Sequence, residues 1–102
     1  METEEISKVE IVESGEMYVI LKNGGKPMYQ YIYREAEEVC WVEGMKGFKS
    51  PQPRKWSYSD WYEYIVSVAA SGLGISLYLT NNTIWQNVPE NSKSEIRAKF
   101  HT

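Results

Sequence analysis

A chain of 102 residues with 42 % hydrophobic and 25 % charged residues has the length and composition of one globular domain of 1–102, not two, and neither collagenous nor disordered sequence looks like this. A net charge of −3 disfavours a nucleic-acid partner, which draws on an excess of Lys and Arg. The single cysteine, Cys40, excludes an internal disulfide and fits a reducing compartment, and the acidic start Met1–Glu5 lacks the basic-then-apolar layout of a signal peptide, so a cytoplasmic location is expected.

Residues 1–6 are expected to fray. Residues 8–13 (KVEIVE) alternate as a first strand, Ser14-Gly15 marks a turn, and residues 17–22 (MYVILK) make a second strand rich in β-formers. Asn23-Gly24-Gly25-Lys26 reads as a hairpin turn, because glycine tolerates the positive φ of primed turns. Residues 27–34 (PMYQYIYR) then follow as a third strand, with Pro27 tolerated at its start, and residues 38–43 (EVCWVE) as a fourth. Residues 44–56 (GMKGFKSPQPRKW) form an irregular stretch in which Pro51 and Pro53 forbid regular pairing.

A strong amphipathic helix opens at Ser57 or Ser59 with Asp60 near its positive end. Its apolar face gathers Trp61, Tyr62, Ile65, Val66, Val68, Ala69 and Leu73, and Gly72 or Gly74 ends it. Residues 75–80 (ISLYLT) and 83–88 (TIWQNV) read as a hairpin about a two-residue Asn81-Asn82 turn. Pro89 then opens a second, weaker helix whose apolar anchors are Ile96, Ala98 and Phe100. Tyr64–Val88 carries no charge, but its glycines, asparagines and change of period break it into helix and hairpin, so no membrane span is expected. The predicted order is β-β-β-β-α-β-β-α. That is an α+β fold with a mainly antiparallel sheet, the strong helix on one face, and strands five and six joining the sheet.

Catalytic parts are scarce. The only histidine, His101, lies beside the C-terminus, where geometry is poorly held, so a serine triad or Cys–His dyad is not supported. No Cys/His cluster offers a zinc site, and no cofactor motif is present. Glu35, Glu37, Glu38 and Glu43 lie together in sequence and are the candidates for carboxylate or metal-assisted hydrolysis, although a solvated acidic loop explains them as well.

Two surfaces are candidates for binding. In the predicted hairpin registers, Tyr18, Tyr29, Tyr31, Tyr33, Tyr78 and Trp85 share the sheet face that the strong helix does not cover, and such a face favours a homodimer or another protein partner. In the stretch 44–56, Lys46, Phe48, Lys49, Arg54, Lys55 and Trp56 interleave positive charge with aromatics, a combination suited to an acidic partner or to single-stranded nucleic acid, with a small ligand as the other candidate for the domain. Residues 1–16, with Glu2, Glu4, Glu5, Glu10, Glu13 and Glu16 against Lys8, offer a third reading: an acidic, immunity-like inhibitor of a basic protein.

The order and scale of the chain, with its Trp56-Ser57-Tyr58-Ser59-Asp60-Trp61 helix entry, resemble the small single-domain proteins carried on mobile integron gene cassettes. The resemblance implies a compact α+β fold and a tendency to form oligomers. It implies no site residue.

Overall fold

The apolar residues of the first strand change phase along its length, and the sheet is built around that change. In the computed structural model, which describes residues 2–99, strand β1 (Glu2–Ile11) buries Glu4 and Ile6 and then Val9 and Ile11. Its pairing with β2 (Met17–Leu21) explains the shift. Ile6 lies opposite Leu21 but Lys8 lies opposite Ile20, so one extra residue is accommodated as a bulge and both halves point their apolar side chains inward. Residues 2–6, expected to fray, are therefore half of the central strand. They pair in parallel with β5 (Ile75–Tyr78), Glu2 opposite Ile75 through Glu5 opposite Tyr78.

The chain from 27 to 34 is a 3₁₀ helix, Pro27–Arg34, and not a strand. Alternation in YQYIY suggests a period of two, yet the buried residues are Tyr29 and Ile32, three apart, which is the period of a 3₁₀ helix. Pro27 begins it, where a missing N–H costs nothing. Asn23–Lys26 consequently leads into a helix and is not a hairpin turn. The strand count before the long helix survives because the stretch 44–56, expected to be irregular, contains strand β4 (Gly47–Ser50), paired antiparallel with β3 (Cys40–Val42) and with β2. Gly47 is required there, since a Cβ would stand 2.9 Å from the Val19 carbonyl oxygen.

Helix α1 (Tyr58–Leu73) begins at Ser57 with a reciprocal capping box. The Asp60 N–H donates to Ser57 Oγ at 3.2 Å and the Ser57 N–H donates to Asp60 Oδ2 at 3.0 Å. It ends at Gly74, whose φ of 70° is the left-handed cap that favours glycine. The buried face, Trp61, Tyr62, Ile65, Val68 and Ala69, matches the predicted stripe, with Val66 and Leu73 partly buried against the same core.

Strand β6 (Ile84–Gln86) also pairs in parallel with β1, Lys8 opposite Ile84 through Glu10 opposite Gln86. Strands β5 and β6 thus run the same way along one strand and are not a hairpin. Between Glu5 and Lys8 the central strand advances three residues while the outer chain advances from Tyr78 to Ile84, and the surplus loops out at Asn81-Asn82. This break reverses the predicted facing: Trp85 packs toward the core and Ile84 is 57 % exposed. Thr83 fastens the break. Its hydroxyl donates to the Ile6 carbonyl at 2.7 Å and accepts from the Thr80 N–H at 3.0 Å.

The strand order is β3-β4-β2-β1-β5, with β6 continuing the β5 edge; three of the five pairings are antiparallel, so the mainly antiparallel α+β reading holds. One row of neighbours, Trp85, Val9, Val19, Phe48 and Trp41, crosses the whole core face, and the next row, Gln86, Glu10, Tyr18, Lys49 and Cys40, crosses the open face. Helix α1, the 3₁₀ helix and helix α2 (Glu90–Lys99) cover the core side, where Ile96 is fully buried as the anchor of α2. Phe100 and His101 lie outside the described residues. Among the described residues no helix is long and apolar enough to cross a membrane.

Because Thr83 is buried and makes both hydrogen bonds, Thr83→Val keeps its shape but strands the Thr80 N–H and the Ile6 carbonyl. We expect a loss of about 1–3 kcal/mol in urea unfolding, against less than about 0.5 kcal/mol for Asn82→Ser on the exposed loop.

Candidate functional site

The first two turns of α1 and the segment before it bring three large rings together. Trp56 precedes the Ser57 cap and Trp61 is the fourth residue of the helix, the two positions of a hydrophobic staple, and their ring centroids are 4.7 Å apart. One turn further, Tyr64 stands edge-on to both, at 5.2 Å from Trp56 and 6.0 Å from Trp61. Tyr64 is fixed from behind, since its hydroxyl accepts the Glu37 N–H at 2.9 Å.

These rings line a cleft of about 300 Å³ rimmed by Glu37, Glu38, Arg54 and Lys55. Arg54 and Glu38 face each other across it at 3.3 Å. Both are largely exposed, so the pair closes the rim without adding much stability. A neighbouring cleft of about 330 Å³ shares Trp56 and Tyr64 and adds Asp60, Glu63 and Ser67. Trp56 is 43 % exposed, and Trp61 is almost entirely buried. The segment leading in is tied down by Tyr58, whose hydroxyl donates to the Gly15 carbonyl at 2.8 Å, and by a hydrogen bond from Gln52 to the Ser14 carbonyl.

Of the basic-aromatic candidates, Arg54, Lys55 and Trp56 therefore meet at one site. The others are elsewhere. Phe48 is fully buried in the sheet, its ring 5.0 Å from Trp41 and 5.5 Å from Tyr29. Lys49 lies on the open face and binds Glu16 at 3.2 Å. Ser14, and then Lys49, hold the Glu16 carboxyl below its usual range, and Glu16 in turn raises Lys49. Lys46 takes a positive φ of 54° in the β3–β4 turn.

The tyrosine set does not form a sheet face. Tyr29, Tyr31 and Tyr33 sit on the 3₁₀ helix. Tyr29 is fully buried and its hydroxyl donates to Glu4 at 2.8 Å. Tyr31 and Tyr33 are exposed, but the Arg34 guanidinium lies over their rings at 4.5 and 5.7 Å. Tyr18 is on the open face, Tyr78 is exposed on β5, and Trp85 is on the core side with the Lys93 ammonium 5.8 Å from its ring. The physical reason is the two misread turns: without hairpins at 23–26 and 81–82, the registers that would align these rings do not exist.

The glutamate cluster also disperses. Glu37 and Glu38 reach the cleft, Glu43 accepts from the Trp41 indole N–H at 2.8 Å, and Glu35 packs beside Gly72. Among the described residues no three His, Cys, Asp or Glu gather closely enough to hold a metal ion. Cys40 is half-buried on the open face.

Sequence reasoning missed Trp61 and Tyr64 as site residues, because helical spacing places the first on the core face and the second on the polar face. The legible signal was the staple spacing of Trp56 and Trp61 about a serine cap.

A family model described as "Integron Cassette Protein Hfx_Cass5" matches residues 4–83, which include every residue lining the cleft. The chain belongs to that integron cassette protein family, as the resemblance in its order and helix entry led us to expect. A solved structure from the mobile metagenome of the North West Arm sewage outfall, the integron cassette protein Hfx_Cass5, is 38 % identical, covering 100 % of this chain and 99 % of that chain, with a TM-score of 0.45. No curated protein matches. The family description names a genetic vehicle and no activity.

Burial, and then the hydrogen bond to Glu4, push the Tyr29 hydroxyl well above its ordinary value, and burial does the same to Tyr62. A folded pKa raised above the unfolded one gives stability that is complete below the unfolded pKa, about 10 for tyrosine, and lost as pH rises above it. Stability should therefore fall steeply above about pH 10. In denaturant titrations at stepped pH, Tyr62→Phe should flatten that fall by about 1.4 kcal/mol per pH unit.

Proposed function

We propose that this member of the family is a non-enzymatic binding protein whose site is the Trp56–Trp61–Tyr64 cleft. The observation that carries the reading is the exposure of Trp56. A staple contact accounts for where the ring sits, but Trp56 leaves much of its apolar surface open beside a cleft that two further rings line. Ligand sites are concave and mostly apolar with a few polar groups at the rim, and the volume here is at the lower end of the ~300–1,000 Å³ typical for them.

A fragment screen followed by tryptophan fluorescence and ¹H–¹⁵N spectra tests this. Aromatic fragments should perturb the indole signals of Trp56 and Trp61, and Trp56→Ala should weaken such binding by about tenfold or more. Because that ring is half-exposed, its removal should cost no more than about 1 kcal/mol in stability. A screen in which no fragment reaches the cluster would remove the basis of the reading.

One further observation favours self-association. Strands β5 and β6 form an outer edge hydrogen-bonded on one side, with Tyr78 42 % and Ile84 57 % exposed along it. An open edge with exposed apolar residues is a template for pairing with a second copy. On this reading the protein is a dimer in light scattering at micromolar concentration, and Ile84→Lys makes it a monomer; a wild-type monomer would end it.

A further inference from the structure

Trp61 is the ring of the cluster whose polar atom is unaccounted for. Its side chain is only 7 % exposed, and its indole Nε1–H is buried without a hydrogen-bond partner, the one side-chain nitrogen or oxygen so placed among the described residues. Trp41 marks the contrast, because its indole N–H donates to Glu43 at 2.8 Å. Native proteins leave very few buried donors unpaired, and each such group calls for an explanation. Tyr64 does not supply the partner: its ring stands 6.0 Å from the Trp61 ring, and its hydroxyl is bonded to the Glu37 N–H instead.

The chemistry of a partner follows from the walls. An indole N–H is a donor only, so what meets it must bring an acceptor. Trp56 and Tyr64 present ring faces and edges, which suit a planar apolar body. The rim carries Glu37 and Glu38 against Arg54 and Lys55, two of which are already paired, so its charges balance and select for neither sign. A cleft of about 300 Å³ takes one or two fused rings better than a long ligand. Trp56 lies on the irregular segment outside the helix cap and packs on Trp61, whose nitrogen is buried, so an acceptor reaches that nitrogen only where the half-exposed Trp56 ring gives way.

Resting on the binding reading above, we infer that the cleft takes a neutral, planar, mono- or bicyclic aromatic compound bearing a carbonyl oxygen or a pyridine-type nitrogen. That acceptor receives the Trp61 Nε1–H, and the ring stacks on Trp56 or Tyr64. Trp61 is then a specificity-determining residue: its ring contributes to the wall for any flat apolar molecule, and its N–H separates those with an acceptor from those without.

Quinoline and naphthalene test this directly, being nearly identical in shape with and without a ring nitrogen, and N-methylquinolinium and 2-naphthoate add the two charges. Titrations of the full chain at pH 8 should give quinoline about tenfold tighter binding than naphthalene, the worth of one buried hydrogen bond. The Trp61 indole N–H resonance should move downfield with quinoline and not with naphthalene. Trp61→Phe should bind the two equally, whatever the smaller ring costs in packing. Should the variant not fold, the wild-type resonance decides alone. Equal binding of quinoline and naphthalene by the wild type, a preference for either charged compound, or an unmoved Trp61 N–H under saturating quinoline would overturn the acceptor inference while leaving the cleft a binding site. Failure of all four compounds to perturb any of the three rings would overturn both. A folded Trp61→Phe that keeps the wild type's preference for quinoline would mean that the preference does not come from the Trp61 N–H, and would also overturn the inference.

Discussion

Strand β1 has neighbours on both sides, antiparallel β2 on one and parallel β5 and β6 on the other, and the position of every other element follows from holding an acidic segment in that central place. A central strand beginning Glu-Thr-Glu-Glu is costly unless each carboxyl finds a partner. The partners come from elements remote in sequence. Tyr29 of the 3₁₀ helix donates to buried Glu4, Lys26 reaches Glu2 at 2.9 Å, and the Thr80 hydroxyl reaches Glu5 at 3.4 Å. The 3₁₀ helix is thus where it is because it delivers Tyr29 to Glu4 while Ile32 and Ala36 enter the core behind it. Parallel pairing of β5 with β1 sets a second requirement. Strand β4 runs antiparallel to β2 and so parallel to β1 and β5, which means that the connection from β4 to β5 must return along the sheet. Helix α1 is that connection, and its apolar stripe is buried because the crossover lays it on the core face.

This arrangement explains which parts of the fold could be read in the sequence. Helix α1 was legible to within two residues of its caps, Ser57 or Ser59 at the start and Gly72 or Gly74 at the end, because Asp60 in the first turn, the apolar period and the closing glycines are local signals that agree with one another. Strands β2 and β5 were legible for the same reason. The first half of β1 was not, since a run of glutamates is read as solvated, and only the tertiary partners Tyr29, Lys26 and Thr80 reverse that. The 3₁₀ helix was misread because tyrosine and isoleucine favour strands, and context overrode that preference. The pairing of β5 and β6 with β1 depends on Thr83 holding the Ile6 carbonyl, a contact across most of the chain that no local pattern announces. The site was half legible. Trp56, Arg54 and Lys55 stood out as a basic-aromatic stretch, but their partners Trp61 and Tyr64 were hidden in the helix period, where one ring looks like core and the other like surface.

Charge in the sequence also proved different from charge in space. The acidic start and the basic middle suggested two electrostatic surfaces, one for a basic target and one for an acidic partner. Folding joins the two at one point, Glu16 with Lys49, and pairs other charges of each region separately. Glu16 meets Lys49, Glu38 meets Arg54, Glu10 meets Lys8, and Glu5 lies 3.9 Å from Lys22. The exposed pairs contribute little to stability individually, but each sets a cation beside a carboxylate. What remains distinctive is apolar: a half-exposed tryptophan, and an outer strand carrying Tyr78 and Ile84.

Trp61 joins this argument to the fold. It belongs to the core cluster with Tyr62 and Ile65, and it also forms a wall of the cleft, so one side chain on the crossover helix serves both. A residue in that double position resists replacement for reasons of packing alone, and its presence would say nothing about binding if its nitrogen were paired. An unpaired donor adds to that, because phenylalanine would fill less of the core but would bring no donor to satisfy. On the proposed reading, the N–H gives tryptophan at the staple position a role that phenylalanine, with no donor, could not take.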